Sequence, residues 1–339
     1  MQRTIYFDYL RVIACFAVIV LHVAASQFSD YSVPTFEWNV MNVYESATRF
    51  CVPIFLMISG ALFLDPTKKI SIKRLYTHNI LRIVSAFLFW SFVYAYYVYT
   101  PNEEPSFFTL FLWGHVHMWF LWLIVGLYMS VPILRAIVQN RLVMAYFLFF
   151  SVILGFVIPF VFELIRNFIP FLSQIVVMGE MCYEKLHLQL FSGFTCYFVL
   201  GYYLHTTHLN KNIGSILIVL GVFATICIAV FTYLLLKEKG VCSELFYNYA
   251  TFLVAIQSIA VFLIIKRVGN VDSKIVYLIS KHSFGIFLVH MLVLYMLGLT
   301  STTINPLIGI PMLSLLVFIV SYLITLVLSH IPVLNKLVI

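Results

Sequence analysis

Three polar side chains in the first apolar segment, Asp8, Arg11 and His22, are of types that can do chemistry. A guanidinium binds phosphate through paired hydrogen bonds, and an imidazole exchanges protons near neutral pH. Arg11 and His22 are eleven residues apart. In an α-helix this is three turns plus about 20°, so both lie on one face about 16 Å apart. A charge inside a membrane span costs about 2.5–3.5 kcal/mol, so we expect this face to meet a helix bundle or a wet cavity.

The composition indicates a membrane protein. Of the 339 residues 63% are hydrophobic and 10% are charged, against about 45–50% apolar residues in soluble domains. Windows of about 17–25 apolar residues are long enough to span a bilayer as helices. They fall at about 6–28, 47–64, 79–99, 108–133, 142–165, 188–205, 212–236, 245–265, 283–299 and 307–330. The sequence therefore predicts an all-α polytopic membrane protein with about ten transmembrane helices.

The distribution of basic residues predicts the topology. Of the 20 Lys and Arg residues, 13 fall on the side that holds the N-terminus and four on the other side, and the remaining three lie inside predicted spans. By the positive-inside rule both termini are cytoplasmic. This asymmetry accounts for the net charge of +7. No basic run of the kind that tracks nucleic-acid phosphates is present, so we expect no nucleic-acid partner.

The sequence indicates a single domain and contains no metal-binding cysteine motif. No Pro-, Gly- or Ser-rich stretch separates a second unit, so residues 1–339 are predicted to form a single integral-membrane domain. The six cysteines contain no CxxC pair, and no zinc or other metal site is expected. Cys182 and Cys242 fall in segments predicted to lie outside, where a disulfide between them is left open.

Further charged residues lie at the ends of later spans. Glu45 and Arg49 are four residues apart, so they can pair on one helix face. Mutual neutralisation and a catalytic role both fit that pair. Arg82 follows a basic loop that holds Lys73 and Arg74. Arg82 either snorkels to the lipid headgroups or binds a ligand.

The histidines divide into two groups. His290 lies inside an apolar run, so we expect a polar partner or a cavity beside it. His115 and His117 lie at a predicted helix end and are assigned no role.

Four motifs in chain order resemble those of the acyltransferase-3 family of bacterial membrane O-acyltransferases. They are Arg11-x10-His22, VPIFLMISGALF (52–63), MWFLWLIVGLYMSVPILR (118–135) and SKHSFGIFLVH (280–290). The resemblance covers nearly the whole chain and is to short single-domain members that acetylate surface polysaccharides. One departure is that the family's Arg-x-x-Arg at the third helix reads Asn79-Ile80-Leu81-Arg82 here. Only Arg82 matches, and the role of the first arginine is in question or is shared with Lys73 or Arg74.

The resemblance implies a membrane O-acetyltransferase of the bacterial inner membrane. Acetyl-CoA would be the cytoplasmic donor substrate, with no permanently bound cofactor, and the acceptor would be a hydroxyl of a glycan or of a lipid-linked sugar. Four basic residues are expected to bind the coenzyme: Arg11, Arg82, Lys73 and Arg74. His22 is expected to act with Arg11 in catalysis, either as the base or as a covalent acyl carrier. Six residues are expected to support the substrates: Glu45, Arg49, Ser59, Trp119, Tyr128 and His290.

Two other functions compete with acyl transfer. Arg, His and Glu inside spans also suit a transporter, flippase or exporter of a lipid-linked or polymeric glycan. No internal repeat, as found in many transporters, supports that alternative. A signalling receptor is disfavoured because the predicted spans leave no sizeable soluble domain. The acceptor glycan and the oligomeric state are not predicted.

Overall fold

The computed structural model describes residues 3–101, 104–186, 193–299 and 305–337. These residues form helices and turns without a β-strand. The first eight helices are α1 (Ile5–Ala25), α2 (Phe36–Thr48), α3 (Cys51–Phe63), α4 (Ile72–Arg74), α5 (Leu81–Val98), α6 (Phe107–Trp113), α7 (Trp119–Gln139) and α8 (Arg141–Val152). The next eight are α9 (Ile158–Phe168), α10 (Ser173–Lys185), α11 (Gly193–Thr206), α12 (Lys211–Lys239), α13 (Phe252–Val268), α14 (Lys274–Leu297), α15 (Pro306–Ser329) and α16 (Pro332–Leu337).

Nine helical segments of the described chain are long and apolar enough to cross a membrane. The predicted all-α polytopic class is therefore confirmed. The sixth predicted span, at about 188–205, overlaps α11, and its residues 188–192 lie outside the described ranges. Helix α1 has 21 residues, which at about 1.5 Å each gives roughly the 30 Å of a bilayer core.

Helix α1 is the central helix of the bundle. It packs against α2, α3, α13, α14 and α15. Its polar stripe faces α14, where the Cys15 thiol lies 3.6 Å from the carbonyl oxygen of Ser283. The stripe is thus directed at protein, as the cost of charge in lipid requires.

Helices α3 and α11 approach each other closely at two glycines. A Cβ atom on Gly60 would lie 1.7 Å from the carbonyl oxygen of Phe198, and one on Gly201 would lie 2.0 Å from that of Met57. Small residues at a helix–helix interface allow the backbones of membrane helices to approach closely. This contact fixes α3 beside the cavity described below.

Two of the spans are broken, and the breaks position polar residues. The second span is interrupted between α2 and α3, at Arg49 and Phe50. The fourth span is interrupted at Gly114, whose φ of +73° favours glycine and whose Cβ would meet the Phe87 ring at 2.7 Å. The 3-10 turn Val116–Met118 then leads into α7.

Two helices begin earlier than hydropathy predicts. Helix α2 begins at Phe36 and not near 47, because the Thr35 hydroxyl accepts a hydrogen bond from the Trp38 amide. Helix α14 begins at Lys274 and not near 283, because the Ser273 hydroxyl caps the Val276 amide. In both cases the first turns are too polar to register as membrane-spanning sequence.

Candidate functional site

A buried carboxylate, Asp8, anchors the N-terminal end of α1. Asp8 is 5% exposed. It accepts hydrogen bonds from Arg3 Nε at 2.6 Å, Ser280 Oγ at 2.7 Å and Arg11 at 3.3 Å. The hydrogen bond to Asp8 raises the pKa of the Arg3 guanidinium above its usual value. The network ties α1 to α14 and restrains Arg11.

A cavity of about 800 Å³ lies beside Arg11. Four of the predicted site residues line it: Arg11 from α1, Ser59 from α3, Arg82 from α5 and Tyr128 from α7. The Tyr128 hydroxyl is hydrogen-bonded to Ser59 and interacts electrostatically with Arg11 and Arg82. The Arg82 guanidinium also lies 5.6 Å from the Phe284 ring centre. The cavity therefore combines two guanidinium groups with largely apolar walls, a composition that suits an anionic ligand with an apolar arm.

One edge of the cavity is a π-helical turn, Leu75–Ile80. Thr77, His78 and Asn79 from this turn line the cavity. Asn79 therefore lies where the first arginine of the family motif would be. Lys73 and Arg74 are exposed on the preceding turn and are not among the lining residues. The structure thus places Arg11 and Arg82 together and leaves Lys73 and Arg74 at the surface nearby.

Aromatic rings form part of the apolar wall of the cavity. Phe55, Phe120 and Phe287 all line it, with centroid distances of 6.1 Å from Phe55 to Phe120 and 5.6 Å from Phe120 to Phe287. Phe287 also contacts His117 at 5.4 Å and His290 at 5.9 Å. It therefore separates the cavity from the histidine cluster.

His22 lies in a cluster of histidines beyond this aromatic partition. Its ring centroid is 5.3 Å from that of His290 and 6.5 Å from that of His117. His117 is in turn 5.2 Å from His290 and 5.0 Å from His115. His22 is partly exposed although Leu21 and Val23 beside it are buried. None of the four histidines is among the residues that line the cavity.

No role is predicted for His115 and His117 from the sequence. Hydropathy places them at a helix end, and only the break at Gly114 turns them towards α1 and α14. The closely spaced His-Val-His sequence directly before the Trp119 motif is the one signal that could have identified them. The expectation that His290 has polar neighbours is met by this cluster.

The Glu45–Arg49 pair is buried. The two groups lie 2.5 Å apart, with side chains 2% and 8% exposed. The Arg49 guanidinium also lies 4.2 Å from the Tyr247 ring centre. Its charge interacts electrostatically with His22. The pair is therefore self-neutralising, yet it lies near enough to His22 to influence it.

Trp119 is placed near this pair. Its ring stacks on Tyr249 at 5.8 Å with an interplanar angle of 28°. Tyr249 also lies 6.0 Å from the Arg49 guanidinium.

Neither a metal cluster nor a disulfide is found in the described chain. Among those residues no group of three or more His, Cys, Asp and Glu side chains is placed to hold a metal ion. Cys182 and Cys242 are both free. Instead the Cys242 thiol lies 3.1 Å from the carbonyl oxygens of Phe28 and Tyr31.

Comparison with known proteins decides the family. A family model of the acyltransferase-3 type, described as an acyltransferase domain, matches residues 4–329. The chain belongs to the acyltransferase-3 family. Neither the curated proteins nor the solved structures include a significant match to it. The resemblance deduced from the four motifs is thus confirmed, and the chain is a multi-pass membrane acyltransferase.

Proposed function

We propose that this acyltransferase transfers an acetyl group from cytoplasmic acetyl-CoA to a hydroxyl of a cell-surface glycan or of its lipid-linked precursor. We further propose that it works in a bacterial inner membrane. The observation that carries the proposal is the arrangement along α1. An arginine-lined cavity lies at one end, and a partly exposed histidine lies on the same helix face about three turns away.

The donor is recognised at the cavity. Coenzyme A carries phosphates, and Arg11 and Arg82 supply permanent charge for them. Lys73 and Arg74 are exposed beside the cavity and would meet phosphates that project from it. Its apolar walls, including Phe120 and Phe287, suit the pantetheine arm.

The transfer takes place at His22. The acceptor oxygen attacks the acetyl carbonyl carbon, the ester bond forms, and the carbon–sulfur bond of the thioester is broken. His22 either takes the hydroxyl proton and delivers it to the leaving thiolate, or first accepts the acetyl group itself. Trp119 and the Glu45–Arg49 pair would help to place the acceptor, since the Arg49 charge interacts with His22 and Trp119 stacks on Tyr249 beside Arg49.

The test separates the donor site from the transfer site. We would measure acetyl-CoA binding and label transfer to a lipid-linked glycan extract in nanodiscs. His22→Ala should abolish transfer while donor binding persists, whereas Arg11→Gln should weaken donor binding roughly 10- to 150-fold, as expected for the loss of a hydrogen bond to a charged group. His208→Ala, at an exposed histidine, is the control.

Two results would contradict the proposal. Normal transfer by His22→Ala would remove that residue from the chemistry. Glycan movement across vesicle membranes that needs no acetyl-CoA, with no acetylated product, would favour the transporter, flippase or exporter alternative.

A further inference from the structure

His117 and His115 form a hydrogen-bonded pair that the proposed function does not use. Their Nδ1 atoms are 2.8 Å apart, so one ring donates to the other. His115 Nε2 lies 2.9 Å from the Tyr295 hydroxyl. Tyr295 is 39% exposed at the end of α14. A continuous hydrogen-bonded chain therefore runs from His117 to the surface.

The inner end of this chain is an unpaired nitrogen. His117 is 2% exposed, and its Nε2 makes no hydrogen bond of good geometry within the described part of the protein. The ring also interacts with the Leu288 carbonyl oxygen, which already accepts a hydrogen bond from Tyr94. Among the same described residues Nε2 of His290 likewise makes no hydrogen bond of good geometry, and its Nδ1 donates to the carbonyl oxygen of Phe287 at 2.6 Å. A buried polar atom without a partner destabilises the folded protein, and a hydrogen bond from a bound ligand would remove that penalty.

Tyr94 fixes the pair in place. Its hydroxyl donates to the carbonyl oxygen of Leu288 at 2.7 Å and accepts from the Leu292 amide at 3.1 Å, on either side of His290. Its ring stacks on His115 at 4.6 Å and 25° and meets His117 edge-on at 5.1 Å. The orientation of both imidazoles is thus set by a buried side chain.

In the described chain, His22 differs from His117 in having no orienting hydrogen bond at either ring nitrogen. It has ring contacts with His117 and His290 but no hydrogen-bond partner within the described ranges. A general base is characteristically oriented by a third group, as His117 is by His115. A nucleophile instead needs a ring nitrogen free to attack, and His22 meets that requirement.

We propose that the two histidines divide the reaction: His22 carries the acetyl group, and His117 is the base that activates the acceptor hydroxyl. The inference rests on the proposed function and deepens it. His115 is then a positioning residue, and Tyr295 connects the pair to water. Phe287 lies between His117 and the donor cavity, so His117 acts on the acceptor and not on the coenzyme.

The chemistry balances in two steps. First, a His22 nitrogen attacks the thioester, the carbon–nitrogen bond forms and the carbon–sulfur bond breaks, and the thiolate takes a proton from the cytoplasmic water. Second, the acceptor hydroxyl gives its proton to His117 Nε2 and its oxygen attacks the acetyl carbon. The carbon–oxygen bond forms, the carbon–nitrogen bond breaks, and His22 leaves as neutral imidazole. His117 passes its Nδ1 proton through His115 and Tyr295 to water.

The experiment follows the acetyl group. Wild-type protein, His117→Gln and Tyr295→Phe in nanodiscs are mixed with labelled acetyl-CoA and a lipid-linked glycan extract, and rapidly quenched. Label on the His22 peptide is measured by mass spectrometry, and label on the glycan by extraction. We expect His117→Gln to bind acetyl-CoA normally, to accumulate acetyl-His22, and to transfer at least about 100-fold more slowly, as for loss of a general base. Tyr295→Phe, which removes only a partly exposed hydroxyl, should alter the pH profile of the second step.

Each result is decisive. Wild-type transfer rates in His117→Gln overturn the assignment, and so does slow transfer without acetyl-His22. Loss of donor binding in His117→Gln also overturns it, because the role is confined to the acceptor step. Transfer by the wild type with no acetyl-histidine in any variant leaves the proposed function standing and refutes the carrier role. Absence of any acetyl-CoA-dependent transfer in the wild type refutes both. His208→Gln serves as the matched control.

Discussion

At the scale of single residues, the arginines inside the membrane-spanning helices are of two kinds. Arg11 and Arg82 line a cavity where a ligand can reach them. Arg49 is instead buried against Glu45 and the Tyr247 ring. A buried ion pair contributes little net stability, whereas removal of one partner leaves an uncompensated charge. The Glu45–Arg49 pair is therefore sensitive to single substitutions.

Substitution of Glu45 tests this environment. Glu45→Ala should lower the free energy of unfolding by about 3–5 kcal/mol, because the buried Arg49 loses its carboxylate partner. The double variant Glu45→Leu/Arg49→Leu should recover much of that loss. Thermal unfolding in detergent measures both. A double variant no more stable than Glu45→Ala would show that the pair is not self-neutralising.

At the scale of helices, the α3–α11 contact positions one wall of the cavity beside Arg11. Gly60 and Gly201 allow the two backbones to meet. Ser59, next to Gly60, then presents its hydroxyl to Tyr128. A separation of these helices would therefore move one wall of the cavity as well as loosen the bundle.

Alanine at these glycines should destabilise the protein. Gly60→Ala and Gly201→Ala place a methyl group within 1.7 and 2.0 Å of backbone oxygens, and overpacking of this kind costs about 1–3 kcal/mol or more. We also expect weaker acetyl-CoA binding, measured by calorimetry. Gly126→Ala is the matched control, because its Cβ would meet no atom within 4 Å. Equal stability of Gly60→Ala and Gly126→Ala would contradict the close approach of α3 and α11.

At the scale of the whole molecule, two compartments lie along one central helix. The cavity beside Arg11 and the cluster around His22 are separated by Phe287. An acyltransferase must keep water away from its activated acyl group, because water would hydrolyse that group. The Phe287 ring is placed to serve that purpose.

A smaller side chain at Phe287 should allow acetyl-CoA to be hydrolysed without transfer to an acceptor. Phe287→Ala is expected to raise acetyl-CoA hydrolysis several-fold when no glycan is present, because water reaches the acetyl group. Coenzyme release measured with a thiol reagent reports the rate. Phe287→Leu, which retains most of the apolar volume, should remain close to the wild type. Unchanged hydrolysis in Phe287→Ala would show that the ring is not a barrier.

Much of this protein could be predicted from local sequence. Hydropathy gave the polytopic class, although it missed the polar first turns of α2 and α14. The helical period placed Arg11 and His22 on one face, since periodicity depends only on spacing along one helix. The four motifs indicated the family, which the match over residues 4–329 confirms. The roles of the individual site residues remain predictions.

The remainder depends on contacts between segments distant in sequence. The sequence could not exclude Lys73 and Arg74 from the cavity lining or bring Asn79 into it, because the π-helical turn sets which side chains face inward. Nor could it assemble His117, His115 and His22, since that cluster requires both the break at Gly114 and the packing of α1 against α14.

The sequence by itself determined the membrane class and the polar face of α1, through local periodicity and hydropathy. Only the tertiary structure decided what that face meets, because side chains up to about 270 residues apart become neighbours only when the helices pack.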